Sequence, residues 1–517
     1  MLRVPSTRVS AKVAFILILI FKCTFASENK ILEALDGNEA AYVKELLEFV
    51  SIPSVSAIPD NQKDILKAAD WVKKRLKTAG LQNVRVLENP KGPRPAVYGE
   101  FIVDTNLPVA LIYGHYDVQP ADPVENWSSP PFKPIVKDGA VWGRGASDDK
   151  SHLGAIQAVE AMLKIDKTLP LNIKFIIEGE EEIGSPYLEP FLEEYSETLA
   201  CDFVISADGG QTSETQPSLT LGLRGAAAIE IEITSLNRDV HSGMYGGAVQ
   251  NPARALIQLL YTMFDPVTNK VLVKDFYKKV RKITPEDRDD ILAMNFDDTA
   301  ELVQAIGALE PLGEEGFSSL ERIWLRPTLE IVGIAGGYAG AGIKTVLPAT
   351  AVAKLAARLV PDQDPKEILA LLEAHIQEHH PKACNVTVRE LGFKAFPFVT
   401  DRNSPVNTAA AKILKEVIGA EPQYVRNGAT IPAMAAFQKY LGAETTTLAF
   451  ALSSDAVHAP NERYSLKQYS TSRVAYVKFL YELGTEIKRG RLKSKNSEGS
   501  NAAGASRDSP ESDHSEL

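Results

Sequence analysis

Apolar positions along the chain fall into two textures. From residue 27 to about 222, short apolar runs at 109–113, 173–177 and 203–206 are separated by longer stretches, at 40–50, 67–80 and 152–165, that read as helical. Short runs bounded by turn residues are strand-like, and stretches of ten or more with a three-to-four-residue apolar repeat are helix-like. Their alternation predicts an α/β domain whose central sheet is mostly parallel and flanked by helices. The texture changes at Leu223: 227–234 alternates strictly, 252–264 has helical spacing, and 329–332 and 352–359 are again strand-like. This predicts a smaller α+β domain over 223–402. Past Asn403 the first texture returns with a helix at 408–418 and an apolar run at 446–451, so the first domain is expected to comprise 27–222 and 403–488 with the smaller one inserted. The acidic stretch 275–322 carries no clear element.

The two ends differ from the rest. Residues 1–26 place Arg3, Arg8 and Lys12 before an apolar run at 13–21 and small residues around Thr24 and Ala26, the layout of a secretory signal peptide. A location in the secretory pathway is therefore expected, with a mitochondrial presequence as the alternative because no acid precedes Glu28. That run is too short to span a bilayer, and no later run approaches the ~18 apolar residues a membrane helix needs; no membrane association is expected after leader removal. Residues 489–517 are poor in large apolar side chains and are expected to be disordered; they end in His-Ser-Glu-Leu, similar to endoplasmic-reticulum retrieval tetrapeptides. Acceptor triplets for N-glycosylation begin at Asn126 and Asn385.

Length and composition narrow the class. A chain of 517 residues exceeds one ordinary core and predicts two domains, and 44% apolar with 24% charged residues is a globular composition. The formal charge of −11, from 56 Lys and Arg against 67 Asp and Glu, argues against nucleic acid as a partner. Only Cys23, Cys201 and Cys384 are present, which excludes a disulfide framework and predicts two buried thiols after leader loss.

Candidate chemistry lies at strand ends, where open α/β sheets bind ligands. His115 and Asp117 follow the run at 109–114, Asp148 and Asp149 follow 141–145, Glu178 and Glu180 to Glu182 follow 173–177, and Asp208 follows 203–207; Asp455 and His458 come later. Each residue alone reads more simply as a turn former, a cap or a satisfied histidine. Their coincidence points elsewhere, because consecutive acids after a buried strand are costly unless a cation compensates them, and imidazole with carboxylate is a zinc ligand set.

Four segments, Gly-His-Tyr-Asp-Val-Gln-Pro at 114–120, Gly-Arg-Gly-Ala-Ser-Asp-Asp-Lys at 143–150, Glu-Gly-Glu-Glu-Glu-Ile-Gly-Ser at 178–185 and His-Ser-Gly at 241–243, closely resemble the carnosinase and cytosolic nonspecific dipeptidase family of dinuclear metallopeptidases. The resemblance spans about 40–482. It implies two zinc ions per subunit, with manganese or cobalt as alternatives, held by His115, Asp148, Glu182, Asp208 and His458, Asp148 bridging. It also implies Glu181 as general base, Asp117 orienting His115, and a short-peptide substrate. The insert corresponds to a lid that forms a homodimer contact, from which His241 and Thr345 would reach the partner's site; Arg358 would grip the substrate carboxylate. At 426–432, Arg-Asn-Gly-Ala-Thr-Ile-Pro departs from the family's Arg-Glu-Gly-Gly-Ser-Ile-Pro: Thr430 keeps a hydroxyl for the substrate, Ala429 would be strained at a positive φ, and Asn427 removes a charge. A carboxypeptidase or an N-acyl amino acid deacylase could use the same site. A non-catalytic binding protein is the alternative of another class, which the presence of all five ligands and Glu181 disfavours.

Overall fold

The computed structural model describes residues 27–495. The leader and the carboxy-terminal segment inferred from the sequence lie outside the described residues, apart from the first few residues of the latter. The main sheet has six strands in the order Gln82–Leu87, Ala96–Phe101, Asn172–Glu178, Val109–His115, Phe203–Ser206, Glu444–Thr447. The last four run parallel, and of the first two, joined on by antiparallel pairing, only Ala96–Phe101 runs against the rest, in agreement with the expected mostly parallel sheet. Its inner strands are covered on both faces. Ala110 and Ile112 point into a core with helices Leu153–Asp166, Pro405–Ile418 and Leu466–Lys488, while Leu111 and Tyr113 pack with Phe191, Leu192 and Phe437 on the other side. Two-sided burial is why this strand reads as a continuous apolar run.

A second sheet, four-stranded and antiparallel, has the order Thr328–Gly336, Thr350–Leu359, Gly225–Thr234, Asn385–Ala395. Here one face is buried: Ile229, Ile231 and Ile233 meet Leu355 of the neighbouring strand and Leu256, Leu259 and Leu372 from helices Pro252–Tyr261 and Pro365–His379. The intervening Glu230 and Glu232 sit on the other face and pair with Arg389 at 2.9 and 3.1 Å. Such one-sided burial produces the strict alternation seen in the sequence. The chain enters and leaves this sheet side by side, since Phe398 and Val399 pair with Leu223 and Gly222.

The acidic stretch is ordered by capping and arginines. Thr284 and Ser318 form capping boxes with Asp287 and Glu321, starting helices Pro285–Ala293 and Ser319–Leu325. Arg402 and Arg426 hold the first helix through Glu286 and Asp290, and through Asp287, at 2.6 to 3.0 Å. Cys201 is a buried free thiol as expected, whereas Cys384 is only partly buried.

Candidate metal centre

The order of the main sheet explains why distant acids meet. Strand Val109–His115 lies between Asn172–Glu178 and Phe203–Ser206, all parallel, so the residues at their carboxyl ends, His115, Glu181 and Glu182, and Asp208, emerge along one edge. Asp148 arrives by a different route from the one expected. It does not follow a strand of the main sheet, but leaves Ala140–Trp142, the middle strand of a small antiparallel sheet. The partner strand there, Arg463–Ser465, follows the loop that carries His458. One short ribbon thus delivers both Asp148 and His458.

The ligand candidates form two triads. Ligand atoms of His115, Asp148 and Asp208 lie within 4.8 Å of one another, as do those of Asp148, Glu182 and His458. Asp148 belongs to both. Its Oδ1 is 3.1 Å from His115 Nε2 and its Oδ2 is 2.9 Å from His458 Nε2, which is also 3.0 Å from Glu182 Oε2. His115 is wholly buried, whereas the His458 side chain is 54% exposed, so the pair opens to solvent on the His458 side.

Electrostatics tests whether these residues suit a cation. Burial raises the Asp208 carboxyl well above its usual range, and nearby Asp148, Asp149 and Glu182 reinforce this against the opposing His115. Glu181 and Glu182 are raised for the same reason, burial first and then their acidic neighbours. Burial also opposes ionisation of Asp148, but hydrogen bonds from both imidazoles outweigh it and hold this carboxylate low. His458 is pushed up to about 10 by its contacts with Asp148 and Glu182. Burial works against His115⁺, yet Asp117 and Asp148 raise it well above the usual imidazole range. Four carboxyl groups facing two imidazoles therefore keep protons where divalent cations would do the same neutralising work, and this oxygen and nitrogen donor set fits zinc, manganese or cobalt.

The surrounding residues hold the ligands in place. His115 Nδ1 faces the backbone carbonyl of Asp117 at 3.1 Å, with the Asp117 carboxylate at 3.5 Å; an Nδ1–H there leaves Nε2 free for a metal. The Asp117 carboxylate has closer partners than that ring. Its two oxygens accept from the backbone N–H groups of Glu181 and Glu182, at 3.2 and 3.1 Å. Gln119 donates to both Glu182 oxygens from its backbone N–H and side-chain amide, at 3.0 and 2.9 Å.

Three further partners surround the ligands, of which Asp149 was already a candidate in the sequence and Glu462 was not. Glu462 is fully buried and accepts from Arg144 and from the backbone of the loop bearing Asp148. The Asp149 carboxylate accepts from the His115 N–H at 3.3 Å. Lys150, lowered to about 7 by burial, donates to the carbonyls of Phe49 and Ile52 at 3.1 and 2.7 Å. Glu462 and Lys150 are acidic and basic loop residues by pattern alone; only their full burial marks them.

The remaining predicted site residues lie outside the main sheet. Val240–His241 pairs with Val346–Leu347, and the Ser242 N–H donates to the Thr345 carbonyl at 3.0 Å, so His241 and Thr345 sit together. Both are exposed; among the described residues no hydrogen bond or ion pair joins either side chain to the metal triads of the same chain. Arg358 and Thr430 do meet: the Arg358 Nη1 donates to Thr430 Oγ1 at 3.0 Å, and the Thr430 hydroxyl donates to the Arg224 carbonyl at 2.6 Å. Arg224 and Arg358 line a cavity of about 630 Å³. In the departing loop, Asn427 Oδ1 accepts from the Ala429 N–H at 2.9 Å, closing an Asx turn. Ala429 is not at a positive φ, so the strain expected of a side chain there is absent.

Comparison with known proteins places the chain in a family. The model of peptidase family M20/M25/M40 matches residues 111–482. The chain is 32% identical over 446 residues to the Cys-Gly metallodipeptidase DUG1 of Candida albicans, covering 83% of this chain and 91% of the relative. It is 28% identical to human Beta-Ala-His dipeptidase over 91% of this chain and 97% of that protein. Among solved structures, an M20 family metallo-carboxypeptidase from Sulfolobus solfataricus superposes with a TM-score of 0.78 at 33% identity, covering 86% of this chain and 99% of that one. The expected secretory-pathway location is overturned by the match to the yeast metallodipeptidase over most of both chains; the leader-like pattern behind it lies outside the described residues. No helix among the described residues is long and apolar enough to cross a membrane. With the family model matched over most of its length, its ligand candidates in two triads and its dipeptidase relatives, this chain belongs to peptidase family M20/M25/M40 and is a metallopeptidase.

Proposed function

We propose that this protein hydrolyses the amide bond of dipeptides and other short peptides ending in a free carboxylate, with two zinc ions at the two triads. The observation that carries this reading is the sharing of Asp148 between both groups of ligand atoms. A bound pair of cations would acidify a water molecule and polarise the scissile carbonyl; manganese or cobalt suits the same donors. His115 and Asp208 would hold one ion, Glu182 and His458 the other, and Asp148 both.

Glu181 is assigned as general base. It stands beside Glu182, partly open to solvent, and its raised proton affinity suits a group that takes a proton from water and returns it to the leaving amine. Asp117 fixes the backbone from which Glu181 projects. Arg358, steadied by Thr430, would pair with the substrate carboxylate.

The domain 223–402 is assigned as a lid and homodimer element. Its outer strand Thr328–Gly336 exposes Ile331, Val332 and Ile334, and an uncovered apolar sheet edge favours pairing with a second copy. The exposed His241 and Thr345 would then serve the partner subunit's site, His241 stabilising the developing oxyanion. A carboxypeptidase acting on longer chains is the second reading, favoured by the cavity beside Arg358 and by an Asn427 that carries no charge for a substrate ammonium.

The test is hydrolysis of dipeptides, tripeptides and N-acyl amino acids by metal-loaded protein, with and without chelator, alongside Glu181→Gln. Chelator-sensitive dipeptide cleavage that the substitution abolishes is the expected result. Cleavage confined to longer or acylated substrates would overturn the dipeptidase reading.

A further inference from the structure

We infer that Glu462 is a positioning residue that locks together the two loops bringing Asp148 and His458 to the metal centre. The inference rests on the metal-centre reading above. Glu462 ends the loop that carries His458 and immediately precedes strand Arg463–Ser465, while its side chain crosses into loop 143–148.

The crossing is complete on both oxygens. Oε2 accepts from Arg144 Nη1 and from the Gly145 N–H, both at 2.7 Å. Oε1 accepts from the N–H groups of Ser147 and Asp148 at 2.9 and 3.1 Å. The backbone carbonyl of Glu462 takes the Gly143 N–H at 2.9 Å. Arg144 closes the arrangement from the other side, donating to the carbonyls of Ala459, next to His458, at 3.3 Å and of Pro120 at 3.2 Å.

Only a carboxylate satisfies this set. Four donors converge on one fully buried side chain, and a carboxylate offers about four acceptor positions and no donor. A buried carboxylate is tolerated because it is paired and hydrogen-bonded throughout. An ordinary structural acid would have served one loop. This one fixes the backbone N–H of the residue whose two carboxylate oxygens face the two triads separately. Slack at Asp148 therefore reaches both metal positions at once, and slack at Ala459 reaches His458.

The test compares wild type, Glu462→Gln and Glu462→Asp. The Gln side chain keeps the shape but turns an NH2 toward two N–H donors; Asp keeps the charge and shortens the reach. Zinc affinity is measured by competition with a chromophoric chelator, the Co2+-loaded absorption spectrum reports ligand geometry, and circular dichroism with melting of the metal-free protein reports folding. Groups that hold metal ligands in place typically carry about ten- to a hundred-fold in affinity. The expected result is weakening of that size in Glu462→Gln at both metals, a changed Co2+ spectrum, and a fall in kcat with little change in KM, with a smaller loss in Glu462→Asp. Lower melting with unchanged zinc affinity and an unchanged Co2+ spectrum would mean a structural role and overturn the inference. If Glu462→Gln fails to fold, the folded Asp variant decides on the same readouts. Wild-type protein that binds no zinc would instead sink the metal-centre reading, an outcome visible before any variant is compared.

Discussion

Replacing Asp117 by Asn tests how far the centre depends on a carboxylate outside the two triads. Each Asp117 oxygen accepts one backbone N–H, from Glu181 at 3.2 Å and from Glu182 at 3.1 Å. Asparagine keeps one acceptor and presents an NH2 to the other N–H, so one of the two bonds is lost and a donor faces a donor. Asp117 is fully buried, so a backbone N–H left without its acceptor there carries the full cost of burial. A hydrogen bond to a charged group contributes about 1.5–3 kcal/mol, and a tenfold change corresponds to about 1.4 kcal/mol. If that energy holds Glu181 and Glu182 in their working positions, Asp117→Asn lowers kcat/KM by about ten- to 150-fold. Steady-state kinetics on a dipeptide at saturating zinc, paired with circular dichroism, measures it. Activity within about twofold of wild type in a folded variant would refute the claim that the Asp117 carboxylate positions the base.

Metal affinity is expected to rise with pH, because the metal-free site holds protons that a cation must displace: His458 is raised to about 10 and His115 and Asp208 well above their usual ranges. Isothermal titration of zinc in buffers of different ionisation enthalpy should record proton release at neutral pH, and a pH-independent affinity with none released would contradict it. Thr430→Val removes the acceptor for Arg358 and strands the Arg224 carbonyl, so KM for dipeptides should rise about tenfold, as expected for the loss of one charged hydrogen bond, while Thr430→Ser stays near wild type; equal effects of the two would reject the hydroxyl's role. Mixing His241→Ala with Glu181→Ala protein should restore part of the activity if His241 serves the partner's site, and mixed dimers as inactive as either parent would exclude that arrangement.

The chain's own pattern indicated the α/β class and which polar residues close its buried strands. Ile229, Ile231 and Ile233 alternate because one face of their sheet is buried, and Ala110 to Tyr113 run unbroken because both faces of theirs are; periodicity records burial directly. His115, Glu181, Glu182 and Asp208 were visible as polar residues closing buried strands, which is where a parallel sheet gathers them. What periodicity does not record is which strands pair. The placement of Val109–His115 between its two neighbours, and the ribbon that joins Ala140–Trp142 to Arg463–Ser465, are contacts between residues far apart in the chain. Asp148 looked like the end of a main-sheet strand for that reason. Glu462 looked like any loop acid, since its meaning lies in four donors supplied from residues 144–148, more than three hundred positions away. Local sequence determines which residues can be buried or can bind; only the closed tertiary structure decides which buried charges meet, because long-range pairing leaves no local periodic trace.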